Sequence, residues 1–277
     1  ASDWPSGGPY DVATLRLSKD KTAFEMSVHA VASVLKPQGA LWVYGANDEG
    51  IKSAAKKLSV LFDDMETVDT RRHSRVIRAF RKKSPPDLRP TLTEWMHTVE
   101  LDHTHGSVSH RVFPGIFAKG LLDPATRLLL DAMPAPNPSS KILDYACGAG
   151  VIGAELQRRE PTIELTLVDS DAVAIVATTE NVPHATTRIE ANPLAIADLA
   201  PFDFIVSNPP IHEGKERDYQ TIQRLVESAA RYLHPGGSLW MVAQRQVPIA
   251  EHLKLHLAGA MCVKSDGRFN VWHAIRS

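Results

Sequence analysis

An internal repeat limits the folds that are open to this sequence. Residues 35–43 read LKPQGALWV, and residues 233–241 read LHPGGSLWM. Upstream of them Tyr10 matches Phe202, so the offset between the copies is 192 there and 198 at the proline motif. Each copy has the pattern strand, helix, turn, strand, which predicts two related α/β units with six extra residues in the later copy. Unrelated α/β units can converge on this pattern, but the shared Pro-x-Gly-x-Leu-Trp favours duplication.

The composition is that of an ordinary globular protein. Of the 277 residues 43% are hydrophobic and 23% are charged, which is typical of soluble domains. The formal net charge of −1 gives no support for a chain-wide basic surface, so any nucleic-acid surface must be local. Two cysteines are too few for a disulfide framework and indicate a reducing compartment. No apolar run is long enough to cross a membrane.

Residues 202–211, FDFIVSNPPI, predict a buried parallel strand that ends in an unusual turn. Two consecutive prolines cannot continue a sheet, and the first of them holds Asn208 in extended geometry. Ligands of open α/β sheets bind at this carboxyl edge. The amide oxygen of Asn208 and the carbonyl of Pro209 form a rigid pair of acceptors, which suits the binding of an –NH2 group. The alternative is a plain proline turn after a strand.

A second motif lies at residues 141–153, KILDYACGAGVIG, where a predicted strand turns through glycines into a helix. Gly148 and Gly150 allow the backbone to approach a ligand closely. The spacing also satisfies the dinucleotide fingerprint G-x-G-x-x-G, which is weak on its own. Asp144 argues against a dinucleotide, because a carboxylate there would repel a pyrophosphate, whereas it suits a ligand with a cationic amino-acid group.

Two further strand ends carry polar side chains. Asp169 ends the next predicted strand and lies 21 residues after Gly148, the distance at which a carboxylate binds ribose hydroxyls. Its alternative role is the cap of the following helix, which Asp171 can fill instead. Asn192 follows the third predicted strand.

Basic side chains are concentrated in one segment of the first copy. Its arginines include Arg71, Arg72, Arg75 and Arg78. Such a run either holds RNA phosphates or protects the edge of an exposed strand, and the sequence leaves both interpretations open. We expect no metal, because the histidines are not completed to a ligand set by a carboxylate or a cysteine.

Taken together, these pieces resemble the ribosomal RNA guanine-N2 methyltransferases (the RsmC/RlmG group) over nearly the whole chain. The motifs that carry the resemblance are residues 114–117 (PGIF), 120–123 (GLLD), 144–151 (DYACGAGV), 208–214 (NPPIHEG) and 267–269 (GRF). Each is unspecific alone, and the ordered set is specific.

The resemblance implies an α/β fold of two tandem Rossmann-like methyltransferase domains. The first would be degenerate and incomplete, and the second would have the seven-stranded class I methyltransferase sheet. Residues 84–90 read SPPDLRP, a proline-rich stretch that is typical of a linker between domains. We therefore expect a scaffold or RNA platform at residues 1–84, a linker at 85–92 and a catalytic domain at 93–277. The sequence starts at Ala1 rather than with Met, and the first copy lacks a cofactor-binding half, so the sequence leaves open whether the natural chain starts upstream.

The resemblance also implies roles for single residues. The implied cofactor is S-adenosylmethionine, held by Asp144, Ala146, Gly148, Gly150, Asp169, Asn192 and Asn208. The implied catalytic residues are Asn208, Pro209, Pro210 and Ile211. The expected contacts to RNA or substrate are Phe117, Arg71, Arg72, Arg75, Arg78 and Phe269. The chain departs mildly from the family at Ala146, where glycine is usual. It departs more at Ile211, where the family has an aromatic residue that stacks on the flipped base, which predicts altered turnover or substrate choice.

The implied reaction is methyl transfer to the N2 amine of a guanine in ribosomal RNA, with the small subunit favoured. The expected partner is ribosomal RNA or an assembling subunit, and we expect a monomer that uses no membrane. The alternatives are a non-catalytic RNA-binding or ribosome-assembly protein, an NAD-dependent oxidoreductase and a protein-glutamine methyltransferase. Ile211 keeps the first alternative open. The Asn-Pro-Pro motif counts against the second, because it has no use in hydride transfer. The expected compartment is the cytoplasm in a bacterium, and a mitochondrion or plastid in a eukaryote.

Overall fold

The computed structural model describes residues 2–103, 106–116, 122–199, 201–209 and 216–277. Contacts divide the chain into two compact units. The first unit contains Ser2–His97 and Phe113–Gly115, and the second contains Thr98–Val112 and Ile116–Ser277. The division into scaffold, linker and catalytic domain stays a prediction. None of the helices in the described part of the chain combines the length and apolar character that crossing a membrane takes.

The first unit is a four-stranded sheet covered by helices. Its elements are β1 (Tyr10–Arg16), α1 (Lys21–Val34), β2 (Leu35–Ala46), a 3₁₀ turn (Ile51–Ser53), α2 (Ala54–Leu58), β3 (Phe62–Arg71), β4 (Ser74–Arg81) and a 3₁₀ turn (Leu92–Trp95). The strand order is β1-β2-β4-β3, with β1 and β2 parallel. Asp20 is the N-cap of helix α1, and its carboxylate accepts the N–H groups of Thr22 and Ala23 at 2.9 Å each.

The second unit contains a mixed sheet whose central strands are parallel. Its elements are β5 (His97–His103), β6 (Gly106–Val112), α3 (Pro124–Ala132), β7 (Lys141–Tyr145), α4 (Val151–Arg159), β8 (Glu164–Asp169), α5 (Ala172–Asn181), β9 (Thr186–Ile189), β10 (Phe202–Ser207), α6 (Glu216–Tyr232), β11 (Leu233–Gln244), α7 (Ile249–His256), β12 (Ala258–Ser265) and β13 (Phe269–Ile275). Within the described residues the sheet has seven strands in the order β12-β13-β11-β10-β7-β8-β9.

This sheet confirms the predicted fold class. Strand β7 lies between β10 and β8, and all three run parallel. Their carboxyl ends therefore meet at one edge of the sheet. Apolar clusters cover both faces, since Leu143 and Ile205 belong to one core cluster and Ile142 and Val206 to another. Burial on both faces explains why these strands read as continuous apolar runs.

The register of the strands confirms the internal repeat. In β1–β2 and again in β10–β11, the pairing shifts so that a step of two residues on the first strand spans five on the second. The partners are Tyr10–Leu35 and Val12–Ala40 in the first copy, and Phe202–Leu233 and Phe204–Ser238 in the second. These pairs keep the offsets of 192 and 198 found in the sequence. The shared irregularity supports duplication over convergence, because two unrelated strand pairs have no reason to share it.

One segment departs from its sequence pattern. Residues 93–101 alternate in a way that predicts a strand, but Leu92–Trp95 form a 3₁₀ turn and β5 starts only at His97. The Thr91 N–H donates to Glu94 Oε2 at 2.8 Å, and the two residues form a capping box. This local cap outcompetes the weak alternation.

Equivalent glycines lie in the irregular strand pair of each copy. A Cβ on Gly39 would lie 2.9 Å from the carbonyl oxygen of Lys36, and a Cβ on Gly237 would lie 2.9 Å from that of Asp203. These obstacles are main-chain atoms, which cannot move aside without disturbing the pairing. The repeat therefore requires glycine at both positions.

We predict that Gly39→Ala and Gly237→Ala each lower the free energy of unfolding by roughly 1–3 kcal/mol, the usual effect of overpacking. Gly267→Ala is the matched control, because a Cβ there meets nothing within 4 Å. It should leave stability unchanged or raise it by up to about 1 kcal/mol. Denaturant unfolding measures all three, and a Gly237→Ala variant as stable as Gly267→Ala would contradict the close contact.

Candidate active site

The carboxyl ends of β7, β8 and β10 surround a cavity of about 310 Å³. Its lining includes Ala146, Gly148, Asp169, Ala191 and Asn208. The described lining contains two carboxylates, those of Asp169 and Asp171, and neither lysine nor arginine. The cavity therefore favours a cationic ligand.

The loop after β7 approaches the cavity through an unusual backbone. Ala146, Gly148 and Gly150 have φ values of 60°, 56° and 77°, in the left-handed region. A Cβ on Gly148 would meet nothing within 4 Å, so this glycine borders open space where a ligand can lie against the main chain. For Ala146 the same region costs roughly 1–2 kcal/mol, which explains why glycine is usual there.

Side chains of α5 hold this loop in place. Thr178 Oγ1 donates to the Gly148 carbonyl at 2.7 Å, and Asn181 Nδ2 donates to the Ala149 carbonyl at 2.8 Å. Sequence reasoning missed both residues. They belong to an ordinary helical stretch, and only the fold brings them to a loop that lies about thirty residues earlier.

Asp169 lies where the sequence places it, at the end of β8. Its Oδ2 accepts the Gly148 N–H at 2.8 Å, and its Oδ1 accepts the Asp171 N–H at 2.9 Å. The role of helix cap belongs to Asp171, which accepts the Val173 N–H at 2.9 Å. A carboxylate has further lone pairs, so Asp169 retains the capacity to accept ribose hydroxyls, and that role stays a prediction.

Asp144 is completely buried. Its Oδ2 accepts the Gly153 N–H at 3.1 Å, while its Oδ1 has no hydrogen-bond partner among the described residues. Burial raises the pKa of Asp144 to about 8, the charge of Asp169 also raises it, and the Gly153 N–H lowers it. The side chain lies behind the cavity lining, so any help to a cationic ligand acts through the charge of the carboxylate or through water.

Asn192 and Phe269 do not line the cavity. Asn192 Oδ1 accepts the Leu194 N–H at 3.1 Å and caps a 3₁₀ turn. Its neighbour Ala191 lines the cavity instead, and the Ala191 carbonyl accepts the Tyr145 hydroxyl at 2.8 Å. Phe269 packs into the hydrophobic core. Their predicted contacts with cofactor and substrate stay predictions.

Two side chains at the start of α3 hold the amide of Asn208, one from the N-cap residue Asp123 and one from Thr126 within the helix. Asn208 Nδ2 donates to Asp123 Oδ2 at 3.0 Å and to Thr126 Oγ1 at 2.9 Å. A carboxylate only accepts hydrogen bonds, so the nitrogen must face Asp123 and both amide hydrogens are used. No donor among the described residues contacts Oδ1, which therefore remains available as an acceptor. We call Asp123, Thr126 and Asn208 the amide clamp.

The amide clamp is also part of the helix start. Asp123 is the N-cap of α3, and its Oδ2 accepts the Thr126 N–H at 2.9 Å as well as the Asn208 amide. The two contacts with Asn208 each span more than eighty residues of the sequence. Pro209 is buried directly after Asn208. Pro210, Ile211 and Phe117 lie outside the described residues.

Two of the four arginines in the basic segment form ion pairs with acidic residues. Arg71 forms an ion pair with Asp69 at 3.3 Å, and Arg78 pairs with Glu66. Both acids belong to β3, which the sequence did not predict as a strand. Arg72 lies exposed in the turn between β3 and β4, and Arg75 is partly exposed. Binding of RNA by these arginines stays a prediction.

No group of three or more potential metal ligands lies together in the described ranges. The carboxylates that do approach one another, Asp144 and Asp169, each hold main-chain N–H groups. The chemistry that the site offers is a set of oriented acceptors beside an acidic cavity.

Comparisons with known proteins point to one family. The profile of the family "Methyltransferase small domain" matches residues 108–273, and that of its N-terminal companion domain matches residues 1–98. Ribosomal RNA small subunit methyltransferase C of Hahella chejuensis is 31% identical, over 98% of this chain and 79% of that protein. The protein of the same name from Pseudomonas fluorescens is 34% identical, over 96% and 80%.

A solved structure agrees with these matches at the level of the fold. The 16S rRNA N2 G1207 methyltransferase of T. thermophilus, in complex with AdoMet and guanosine, superposes with a TM-score of 0.85. It is 24% identical, and the match covers 98% of this chain and 74% of that one. At this identity the likeness shows the fold alone.

The raised pKa of Asp144 predicts how the stability of the cofactor-free protein depends on pH. Between the ordinary value of 3.8 and the folded value of about 8, the folded state keeps a proton that the unfolded chain has lost. The free energy of unfolding should therefore fall as pH rises through this window. Asp144→Asn mimics the protonated form and should flatten this fall, so that the variant is more stable than the parent at pH 8 by roughly 1–3 kcal/mol.

Denaturant unfolding at pH 5 and pH 8 measures this dependence. The matched control is Asp48→Asn, at an exposed carboxylate, which should keep the pH dependence of the parent. The burial argument fails if Asp144→Asn and Asp48→Asn show the same pH dependence.

Proposed function

Since the chain belongs to the methyltransferase small-domain family, with relatives named ribosomal RNA small subunit methyltransferase C, we propose that it methylates the N2 amine of a guanine in small-subunit ribosomal RNA. It is an S-adenosylmethionine-dependent enzyme of class I fold. The target nucleotide would be turned out of its helix, because an amine inside a duplex cannot reach the cofactor.

The observation that carries this proposal is the orientation of Asn208. The amide clamp uses both of its N–H groups, so Asn208 can act on a substrate only through Oδ1. An amine substrate needs such acceptors. Pro209 follows directly and supplies a carbonyl without adding a competing N–H of its own.

The acidic cavity fits the cofactor. S-adenosylmethionine carries an ammonium and a sulfonium group and no phosphate, which agrees with two carboxylates and no cation in the described lining. Gly148 would lie against the cofactor, and Asp169 would accept its ribose hydroxyls. The positive charge of the bound cofactor would lower the raised pKa of Asp144, so that its carboxylate would then add negative charge from behind. A volume of about 310 Å³ lies at the lower end of the range for small-molecule sites. The oxidoreductase alternative is disfavoured, because the acceptors of Asn208 and Pro209 have no use in hydride transfer.

The residues of the site would promote the reaction mainly by positioning. The guanine amine is a poor nucleophile, because its lone pair is delocalised into the ring. Asn208 Oδ1 and the Pro209 carbonyl would accept its two hydrogens, which favours a pyramidal nitrogen with its lone pair directed at the methyl group. When bound, the cofactor supplies an electrophilic methyl group whose bonding pair leaves with sulfur as the N–C bond forms. The methylated nitrogen is then cationic and acidic, and its proton passes to solvent.

Ile211 keeps a second candidate open, a non-catalytic RNA-binding or assembly protein. It lies outside the described residues, and an isoleucine covers a base without offering a π-face. The amide clamp favours the enzyme, because a binding protein has no need of an oriented acceptor beside a cofactor cavity. We further propose that the protein acts as a monomer on ribosomal RNA or an assembling subunit, in the cytoplasm of a bacterium.

Asn208→Ala should lower kcat by roughly a hundredfold or more, as the loss of one preorganised polar partner does elsewhere. The affinity for S-adenosylhomocysteine should change little, because Oδ1 acts on the amine. Incorporation of labelled methyl groups into unmodified small-subunit ribosomal RNA measures kcat, and calorimetry measures the affinity for S-adenosylhomocysteine. Methylation at the parental rate would show that the active site lies elsewhere.

Thr126→Val tests the amide clamp without touching the substrate. It removes one acceptor of Asn208 at constant volume, so kcat should fall by about tenfold, the effect of one hydrogen bond, with KM unchanged. Thr126→Ser keeps the hydroxyl and should restore the rate. In the Asn208→Ala background Thr126→Val should have no further effect, because the two residues act through one contact. Equal rates of the Val and Ser variants would contradict the clamp.

A further inference from the structure

The first unit contains a cavity of its own, of about 310 Å³. It lies where the parallel strands β1 and β2 end, since Leu17 follows β1 and Gly50 lies just beyond β2, and both residues line it. With the repeat offset of 192, Leu17 corresponds to Pro209. The cavity therefore occupies the edge that carries the candidate active site in the second unit.

The charge of this cavity is opposite to that of the candidate active site. Its lining contains four lysines, namely Lys19, Lys21, Lys56 and Lys57. Its one carboxylate is Glu49, which is already occupied. Glu49 Oε1 accepts Arg16 Nη2 at 2.8 Å, and Oε2 accepts the Ala46 N–H at 3.0 Å.

Three of these lysines form no ion pair with a described carboxylate. Lys57 forms an ion pair with Glu25. Lys19, Lys21 and Lys56 are exposed, and no carboxylate in the described part of the chain lies within ion-pair distance of them. Three positive charges around one concavity attract an anion with several charges.

The floor of this cavity is apolar. Phe24 and Ala54 are each 3% exposed, and Leu17 is 6% exposed. A cationic rim above an apolar floor suits a nucleic-acid strand, whose phosphates bind ammonium groups while its sugars and bases cover apolar surface. The arginines of β3 and β4 suit this role less well, because Arg71 and Arg78 are paired with carboxylates.

We propose that the lysine cavity, formed by Lys19, Lys21 and Lys56 above Leu17 and Phe24, binds the phosphate backbone of the RNA substrate. The identity of the ligand as RNA rests on the proposed function. The duplicated edge thus serves two ligands of opposite charge, a cationic cofactor in the second unit and an RNA strand in the first.

The test compares two triple variants of the full chain that remove equal charge. Lys19→Gln/Lys21→Gln/Lys56→Gln changes the cavity, and Lys36→Gln/Lys83→Gln/Lys254→Gln changes exposed lysines elsewhere. Binding to transcribed small-subunit ribosomal RNA is measured between 50 and 200 mM salt. Each phosphate contact releases about 0.7 counterions, so the loss of three contacts lowers the slope of log affinity against log salt concentration by about two. The ratio of the RNA affinity of the parent to that of the cavity variant should therefore shrink roughly 20-fold between 50 and 200 mM salt. The control variant should keep the parental slope.

The outcomes separate this proposal from the proposed function. A cavity variant with the parental slope overturns the lysine cavity, and so do equal losses in both variants. Absence of RNA binding by the parent overturns it as well. If the cavity variant alone loses binding while the parent methylates no RNA, the lysine cavity stands and the proposed function fails. Affinity for S-adenosylhomocysteine, measured on all three proteins, should be equal and shows that the second unit is folded. Equal denaturant unfolding of the three proteins shows that the first unit is folded as well.

Discussion

The two hydrogen bonds from Asn208 to Asp123 and Thr126 determine what the site can do. They join the end of β10 to the start of α3 and turn an amide, which both donates and accepts, into a pure acceptor. Without them either end of the amide could face the cavity. The glycine loop and Asp169 line the same cavity, so that the acceptor lies beside a space that favours a cation. This combination suits transfer of a methyl group from a sulfonium to an amine.

The repeat gives this chain two related sheets, and a cavity lies at the carboxyl ends of the parallel strands in each of them. Both parallel strand pairs have the same shift of register, so their carboxyl ends present loops in the same way. The side chains on those loops differ. Two carboxylates line the cavity of the second unit, whereas four lysines and one neutralised glutamate line that of the first. The fold thus provides the concave edge, and local charge decides which ligand it attracts.

Sequence reasoning succeeded where the signal is local or periodic. The repeat, the parallel strands, the glycine loop and the cap at Asp171 all depend on neighbours in the chain. It failed where a side chain contacts a residue far away in the sequence, and where a strand has an atypical composition. The contact of Asn208 with Thr126 links residues that lie in separate motifs, and β3 is too acidic to read as a strand. The pairing of Arg78 with Glu66 on that strand was therefore invisible, and the arginines seemed freer than they are.

The central claim is that an oriented acceptor directs a methyl group to the N2 atom of guanine. The most direct measurement is nucleoside mass spectrometry of unmodified small-subunit ribosomal RNA, or of subunits, after incubation with the protein and S-adenosylmethionine. The account predicts N2-methylguanosine at a defined position and no product without the cofactor. Methylation on a ring nitrogen or on another base, or no methylation of either substrate, would contradict it.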